Sequence, residues 1–268
     1  MARRFRPSAL IRGSLALHVA APALALLRPR LWPWALTAVI ADHLAITAAG
    51  LWPRSRLLGP NLTRLPAAAQ RGGAPAIALT IDDGPDPEVT PRVLALLAAH
   101  GARASFFCIG ERVERHPTLA REIVAGGHDI ENHSQRHLHR FSLLGPRALA
   151  TEVERAQDSI TAVTGAAPRF FRAPAGLRNP FLEPVLARAG LQLVSWTRRG
   201  FDTVTRESGR VLGRLTRDLA DGDILLLHDG HAARSAAGGA VILEVLPPLL
   251  AALERARLAP LTLRAAVH

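Results

Sequence analysis

An α/β fold, with a parallel sheet closed or nearly closed into a barrel of about seven βα units, is what this 268-residue sequence predicts. Three observations carry that expectation. From residue 76 onward, short apolar runs alternate with helical segments punctuated by Gly and Pro. Polar clusters stand just after the apolar runs, at Asp82–Asp83, His133, Arg172, Trp196 and His228. Barrel strands end on one common face, so such clusters would meet there. Ahead of all this lie two long apolar stretches that do not share the rhythm.

Those stretches, within residues 1–58, are "RFRPSALIRGSLALHVAAPALALL" and "LWPWALTAVIADHLAITAAGLW", joined by the turn "RPR". Each approaches the roughly 20 residues that a membrane-spanning helix needs. Trp32, Trp34 and Trp52 bracket the second, where indoles favour the interface. Arg12, Asp42 and His43 oppose insertion, since a central charge costs about 2.5–3.5 kcal/mol. A signal peptide cleaved near Ala25 followed by one anchor is the second reading; a membrane-anchoring helical hairpin is the first. Arginines flank both stretches, at positions 3, 4, 6, 28, 30, 54 and 56, so charge does not assign a side. Residues 59–75, "GPNLTRLPAAAQRGGAP", lack an apolar period and read as a linker.

The elements then follow in order. "AIALTID" is a strand; "PRVLALLAAHG" is a helix with Pro91 near its start and Gly101 at its end. "ASFFCIG" is the second strand, followed by a helix through "REIVAGG" and the strand "HDIENH". A helix over 146–164 precedes "RFFRAP", a helix ending at "ARAG", and "LQLVSW". "DILLLHDG", a helix over 240–257 and "APLTL" close the series. No fixed-period repeat occurs, which excludes a solenoid.

All 33 basic residues are arginine, and the net charge is +11. They are scattered, several beside acids, with no aromatic-interleaved stripe, so no nucleic-acid partner is expected. Cys108, the single cysteine, lies in the apolar run "SFFCIG" and reads as a core residue rather than a nucleophile.

"LTIDDGPDP" sets two carboxylates side by side at a strand end. Adjacent acids raise each other's pKa and cost stability unless a cation intervenes. "HSQRH" supplies His133 and His137 four apart, which on a helical turn would project from one side, as a divalent metal requires. With Asp83 they would form a two-His-one-carboxylate set with open positions. Asp82 could then stay ionised beside metal-activated water and take its proton. Arg172, ending "FFRAP", could hold a carboxylate in fixed orientation. His228, after four apolar residues, is a candidate acid for a leaving amine.

Taken in order, "TIDDGP", "HSQRH", "RAPAG", "WTRRGFDT" and "LLLHDG" resemble the motifs of the polysaccharide deacetylases of carbohydrate esterase family 4, the nodulation-type chitooligosaccharide deacetylase domain. The resemblance covers residues 76–264 and implies a distorted (β/α)7-type barrel that removes acetyl groups from sugars with a divalent metal, zinc first, cobalt or another cation as alternatives. It implies Asp82 as base, Asp83, His133 and His137 as metal ligands, and Arg172 as the residue orienting Asp82. It also implies His228 as acid, Asp202 as the partner that tunes it, and a backbone N–H near Ala175 for the oxyanion. Two departures stand out. Arg199 occupies a position usually acidic and Thr203 one usually tryptophan, while Ala175 stands where an aromatic is common. These strip walls from the sugar groove, so the expected substrate is broad: an acetylated glycan or a lipid-linked amino sugar. The expected location is a bacterial inner membrane, with the periplasmic face favoured by the resemblance. The competing expectation is a membrane-tethered carbohydrate-binding protein that keeps the fold without turnover.

Overall fold

A computed structural model of the chain describes residues 3–67 and 73–267. Its N-terminal hairpin consists of α1 (Ala9–Leu27), a 3-10 turn (Pro29–Leu31) and α2 (Trp32–Leu51). The Ser8 side chain caps α1 by accepting the Ile11 N–H at 3.3 Å. The few residues these helices bury are small: Ser14 and Ala21 on α1, and Ala35, Ala49 and Gly50 on α2. Small residues let helix backbones approach closely. The large ones, among them Leu15, Val19, Leu26, Trp34 and Leu44, face outward. Of the groups that oppose insertion, Asp42 and His43 find local partners. Ser14 donates to Asp42 at 2.8 Å, and the His18 and His43 Nε2 atoms lie 3.1 Å apart.

The rest of the chain is β1 (Ala76–Asp82), α3 (Thr90–Ala99), β2 (Ser105–Cys108), α4 (Gly110–Arg115), α5 (Pro117–Ala125), β3 (Asp129–Asn132), α6 (Pro146–Thr164) and β4 (Phe170–Phe171). There follow α7 (Leu182–Ala189), β5 (Gln192–Leu193), β6 (Arg198–Arg199), α8 (Ser208–Thr216), β7 (Ile224–His228), α9 (Val241–Arg255), β8 (Ala259–Leu261) and α10 (Leu263–Ala266). The strand order is β5-β4-β3-β2-β1-β7-β6, every pairing parallel. The barrel is a curled, open one, with β5 and β6 as its edges.

β1 is the centre. β7 pairs with it from Ala78 to Asp82; on its other edge β8 pairs with Ala76–Ala78 and β2 with Thr80–Asp82. Because side chains alternate along a strand, Ile77, Leu79 and Ile81 pack outward with Leu225, Leu227, Val245 and Leu249 under the helices. Ala78, Ile224, Leu226 and Phe107 pack on the inner side with Phe170 and Trp196. The same alternation sends Thr80, Asp82 and His228 inward. Cys108 lies in the outer core, where burial pushes its thiol pKa up.

Three segments differ from the sequence expectation. The single helix through "REIVAGG" is two, α4 and α5, broken at His116–Pro117 because proline cannot continue the ladder. β6 and α8 are additional elements. Within the expected linker, Leu62 bridges Val194 in parallel, accepting the Ser195 N–H and donating to Leu193 O, each at 2.9 Å. Residues 68–72 of that linker lie outside the described residues.

Candidate active site

A cavity of about 300 Å³ opens at the carboxyl ends of the strands. Asp82, Asp83, His133, His137, Ala175 and His228 line it, with Trp196, Arg199, Thr203 and His231. Arg172 and Asp202 stand behind the wall, so all eight residues singled out from the sequence converge here.

β1 ends by placing Asp82 inward, paired in register with His228 on β7. Asp83 then takes a left-handed conformation, φ 78°, which turns its carboxylate into the same cavity. The turn that follows needs Gly84, because a Cβ there would stand 2.6 Å from the Asp229 carboxylate.

His133 and His137 do not share a helical turn. Their segment is a loop in which Ser134 (φ 66°) and His137 (φ 51°) are both left-handed. Asn132 Oδ1 accepts the Ser134 N–H at 2.9 Å, and Ser134 Oγ accepts the His137 N–H at 3.0 Å. Two side-chain-to-backbone bonds thus coil the loop where a helix was expected. The imidazoles converge nonetheless: both Nε2 atoms lie near Asp83 Oδ1, at 3.2 Å for His133 and 3.3 Å for His137.

The donor set fits a divalent ion. One ligand atom each from Asp83, His133 and His137 lies within 4.8 Å of the others. Four ligands about 2.0–2.1 Å from a tetrahedral ion stand roughly 3.3 Å apart, matching the two Asp83 distances. Asp83 Oδ1 is buried with no hydrogen-bond partner among the described residues, an orphan that a cation would satisfy. His133 Nδ1 donates to Arg172 O at 2.8 Å, which leaves Nε2 free to ligate a metal. Burial, reinforced by the charge of His133, pushes the His137 pKa down to about 4, so that imidazole is neutral. Burial also acts against the charged form of Asp83, yet His133 and His231 outweigh it and hold the carboxyl well below its usual range.

Arg172, 1% exposed, is locked on all sides. Its NH1 donates to Asp82 Oδ1 at 2.6 Å and Thr80 Oγ1 at 2.9 Å, its NH2 to Ser195 O at 3.1 Å, and its plane lies 4.1 Å over the Phe107 ring. Asp202 takes the His228 N–H on Oδ2 at 2.7 Å and Nδ1 on Oδ1 at 2.9 Å. Burial lowers the His228 pKa, but Asp202, with Asp82 and Asp83, more than reverses this and raises it.

The profile of the polysaccharide deacetylase family matches residues 69–194. A peptidoglycan-N-acetylglucosamine deacetylase of Bacillus cereus is 35% identical over 175 residues, 65% of this chain and 81% of that protein. The chain belongs to the polysaccharide deacetylase family. A chitooligosaccharide deacetylase of Sinorhizobium fredii is 37% identical over 159 residues, covering 59% of this chain and 74% of the relative. A family 4 carbohydrate esterase from Streptomyces lividans, solved in complex with acetate, superposes with a TM-score of 0.63 at 30% identity, over 69% of this chain and 91% of that one.

In this polysaccharide deacetylase His231 was not foreseen. Its Nδ1 lies 2.8 Å from Asp83 Oδ2, and the only signal was its place three residues after His228 in "HDGH". Asp229 was also missed. Buried completely, it has its carboxyl pushed up to about 7 by burial, with the Thr90 hydroxyl at 2.5 Å opposing. His139 lines the cavity too.

Proposed function

We propose that this protein is a metal-dependent hydrolase that removes an N-acetyl or related acyl group from a carbohydrate, with residues 76–264 as its catalytic unit. The observation that carries this reading is the meeting of Asp83, His133 and His137 donor atoms within 4.8 Å on a cavity wall shared with Asp82 and His228. Those three residues would hold the ion, zinc first. A divalent ion bound there acidifies water from a pKa of about 15.7 to roughly 7 and polarises an acyl oxygen.

Asp82, aimed by Arg172, takes the proton from the attacking water. His228 gives a proton to the departing nitrogen, which would otherwise leave as a poor amide anion. Asp202 equips it for that step by stabilising the imidazolium and fixing Nδ1 as donor. The backbone at Ala175, left-handed with φ 54° and lining the cavity, supplies an N–H for the developing oxyanion. Water and amide become amine and carboxylate. The outward-facing apolar residues of α1 and α2 support a membrane anchor, at the periplasmic face of a bacterial inner membrane.

Acetate release from N-acetylated chitooligosaccharides, with zinc or cobalt added, tests this. The reading expects metal-dependent release that Asp82→Asn and His133→Ala abolish. Full turnover in either variant would remove the role assigned to that residue.

A further inference from the structure

The exposed apolar residues of the catalytic unit are not scattered. Among the described residues from 76 onward, the large exposed hydrophobics are Leu143, Phe181, Phe201 and Val204. All four lie in segments that follow the carboxyl ends of β3, β4 and β6, the side on which the cavity opens. Val204 is 75% exposed and Leu143 83%. Large hydrophobics left bare on the side where a cavity opens mark a contact surface.

The hairpin is fixed to that same side. The Arg178 N–H bonds Gly50 O at 3.2 Å, and Ser195 Oγ donates to Pro53 O at 2.6 Å. Gly176 touches both regions at once: a Cβ on it would stand 2.6 Å from the Trp196 ring and 2.9 Å from Pro53. Gly176 and Trp196 line the cavity, so the foot of α2 packs against the outside of the cavity wall. The start of α1 is held nearby, with Ser8 Oγ donating to Leu57 O at 2.5 Å. Both free ends of the hairpin are therefore at the catalytic unit, and its turn lies one helix length away. Nineteen residues of α1 rise about 28 Å, close to the roughly 30 Å of a bilayer's hydrocarbon core. Trp52, Leu57, Arg54 and Arg56 are exposed at the foot, the mixture that suits an anionic lipid interface.

Arg199 supplies the second observation. It lines the cavity, packs 5.4 Å from the Trp196 ring and 5.0 Å from Phe201, and has no acidic partner among the described residues. Its Nε is buried without a hydrogen bond. A guanidinium left uncompensated in a cavity invites a phosphate oxygen, for which its planar donor fork is suited.

We infer that the cavity opens onto the bilayer and takes the headgroup of a membrane lipid: an N-acylated amino sugar joined through a phosphate to a lipid chain. Arg199 reads the phosphate, the apolar rim seats in the lipid interface, and the hairpin sets the height. The inference rests on the hydrolase reading above. Water adds to the acyl carbon, the C–N bond breaks, and the nitrogen takes a proton. The free amine stays on the lipid and the carboxylate leaves in water.

The test uses the full chain with zinc in vesicles of equal parts phosphatidylcholine and phosphatidylglycerol, reading acetate release from four probes. Two are in the bilayer, N-acetylglucosaminyl-phosphoryl-polyprenol and the neutral octadecyl N-acetylglucosaminide. Two are in solution, tetra-N-acetylchitotetraose and N-acetylglucosamine 1-phosphate. The expected result is fastest turnover of the phosphoryl lipid. Arg199→Ala should lower the ratio of phosphoryl to neutral lipid turnover roughly tenfold to a hundredfold, the worth of a charged hydrogen bond. Leu143→Asp with Val204→Asp should slow both lipids and leave the soluble tetramer unchanged. A soluble probe turned over as well as the phosphoryl lipid overturns the inference while the hydrolase reading stands. An unchanged lipid ratio in Arg199→Ala overturns the phosphate contact, and no release from any probe overturns the hydrolase reading itself.

Discussion

In β1 and β7 the outward-turned aliphatic side chains meet helices of the same chain; in α1 and α2 most of the large ones are exposed and none is fully buried. The barrel builds its own apolar interior, whereas the hairpin has one only if lipid supplies it. Polar groups divide the same way. In the hairpin Ser14 pairs with Asp42 and His18 with His43. In the barrel the cavity retains buried atoms without partners among the described residues, Asp83 Oδ1 and Arg199 Nε. The difference teaches where to look for chemistry. Satisfied polar groups hold a structure together, and unsatisfied ones on a cavity wall await a ligand.

The hardest blow to the barrel's side of that contrast is Asp82→Asn. Acetate release should fall by about 10²–10⁴-fold, the range for loss of a general base, while membrane retention stays as it was. Next comes Arg172→Ala, which strips a buried carboxylate of its partner at 2.6 Å. Chemical denaturation should register a loss of about 3–5 kcal/mol; a loss under 1 kcal/mol would mean water reaches Asp82.

Asp42→Leu probes the hairpin instead. If α2 lies in lipid, removing the acid eases insertion by about 3 kcal/mol, so extraction from membranes should need harsher conditions at an unchanged catalytic melting temperature. Easier extraction would place the hairpin outside the bilayer.

A gentler change is Asp202→Asn. The folded-state pKa of His228 is raised, so its acid form and the stability of the pair are full below the unfolded value near 6.5 and fade as pH rises through the folded value. Without the Asp202 carboxylate, the alkaline limb of the pH–rate profile should move to lower pH. An unmoved limb would assign it to another group. The smallest effect belongs to Glu111, half-exposed and paired with Arg115 one turn on. Glu111→Ala should cost about 0.3–0.5 kcal/mol by thermal melting and nothing in activity.

What could be read from the sequence follows from the range of each interaction. β1 and β7 were legible because each opens on four apolar residues in succession, which leaves few alternatives, and Asp82, Asp83 and His228 came with them as strand ends. β6 is two residues long, too short for any period, and was not foreseen, while β5 keeps only two residues of the expected run "LQLVSW". α8, "SGRVLGRLT", buries only Val211 and Leu215 and carries two glycines, a weak helical signal. The "HSQRH" pair was identified, but the turn that joins it was not. Its conformation depends on the Asn132 and Ser134 side chains, and four-residue spacing cannot tell that loop from a helix. Glu131 illustrates contacts that no local pattern reveals. Burial pushes its carboxyl to about 7, opposed by Arg264, whose Nε sits 2.6 Å away after 133 intervening steps of chain.

The split edge of β1 has a consequence for how the molecule is made. Its first residues align with Ala259–Leu261 and its last, on the same edge, with β2, which is made much earlier, so that edge of the central strand stays half-paired until β8 has left the ribosome. The two apolar helices are complete some two hundred residues sooner. Synthesis therefore completes the hairpin first and leaves the barrel unfinished behind it, its seam open until β8 emerges.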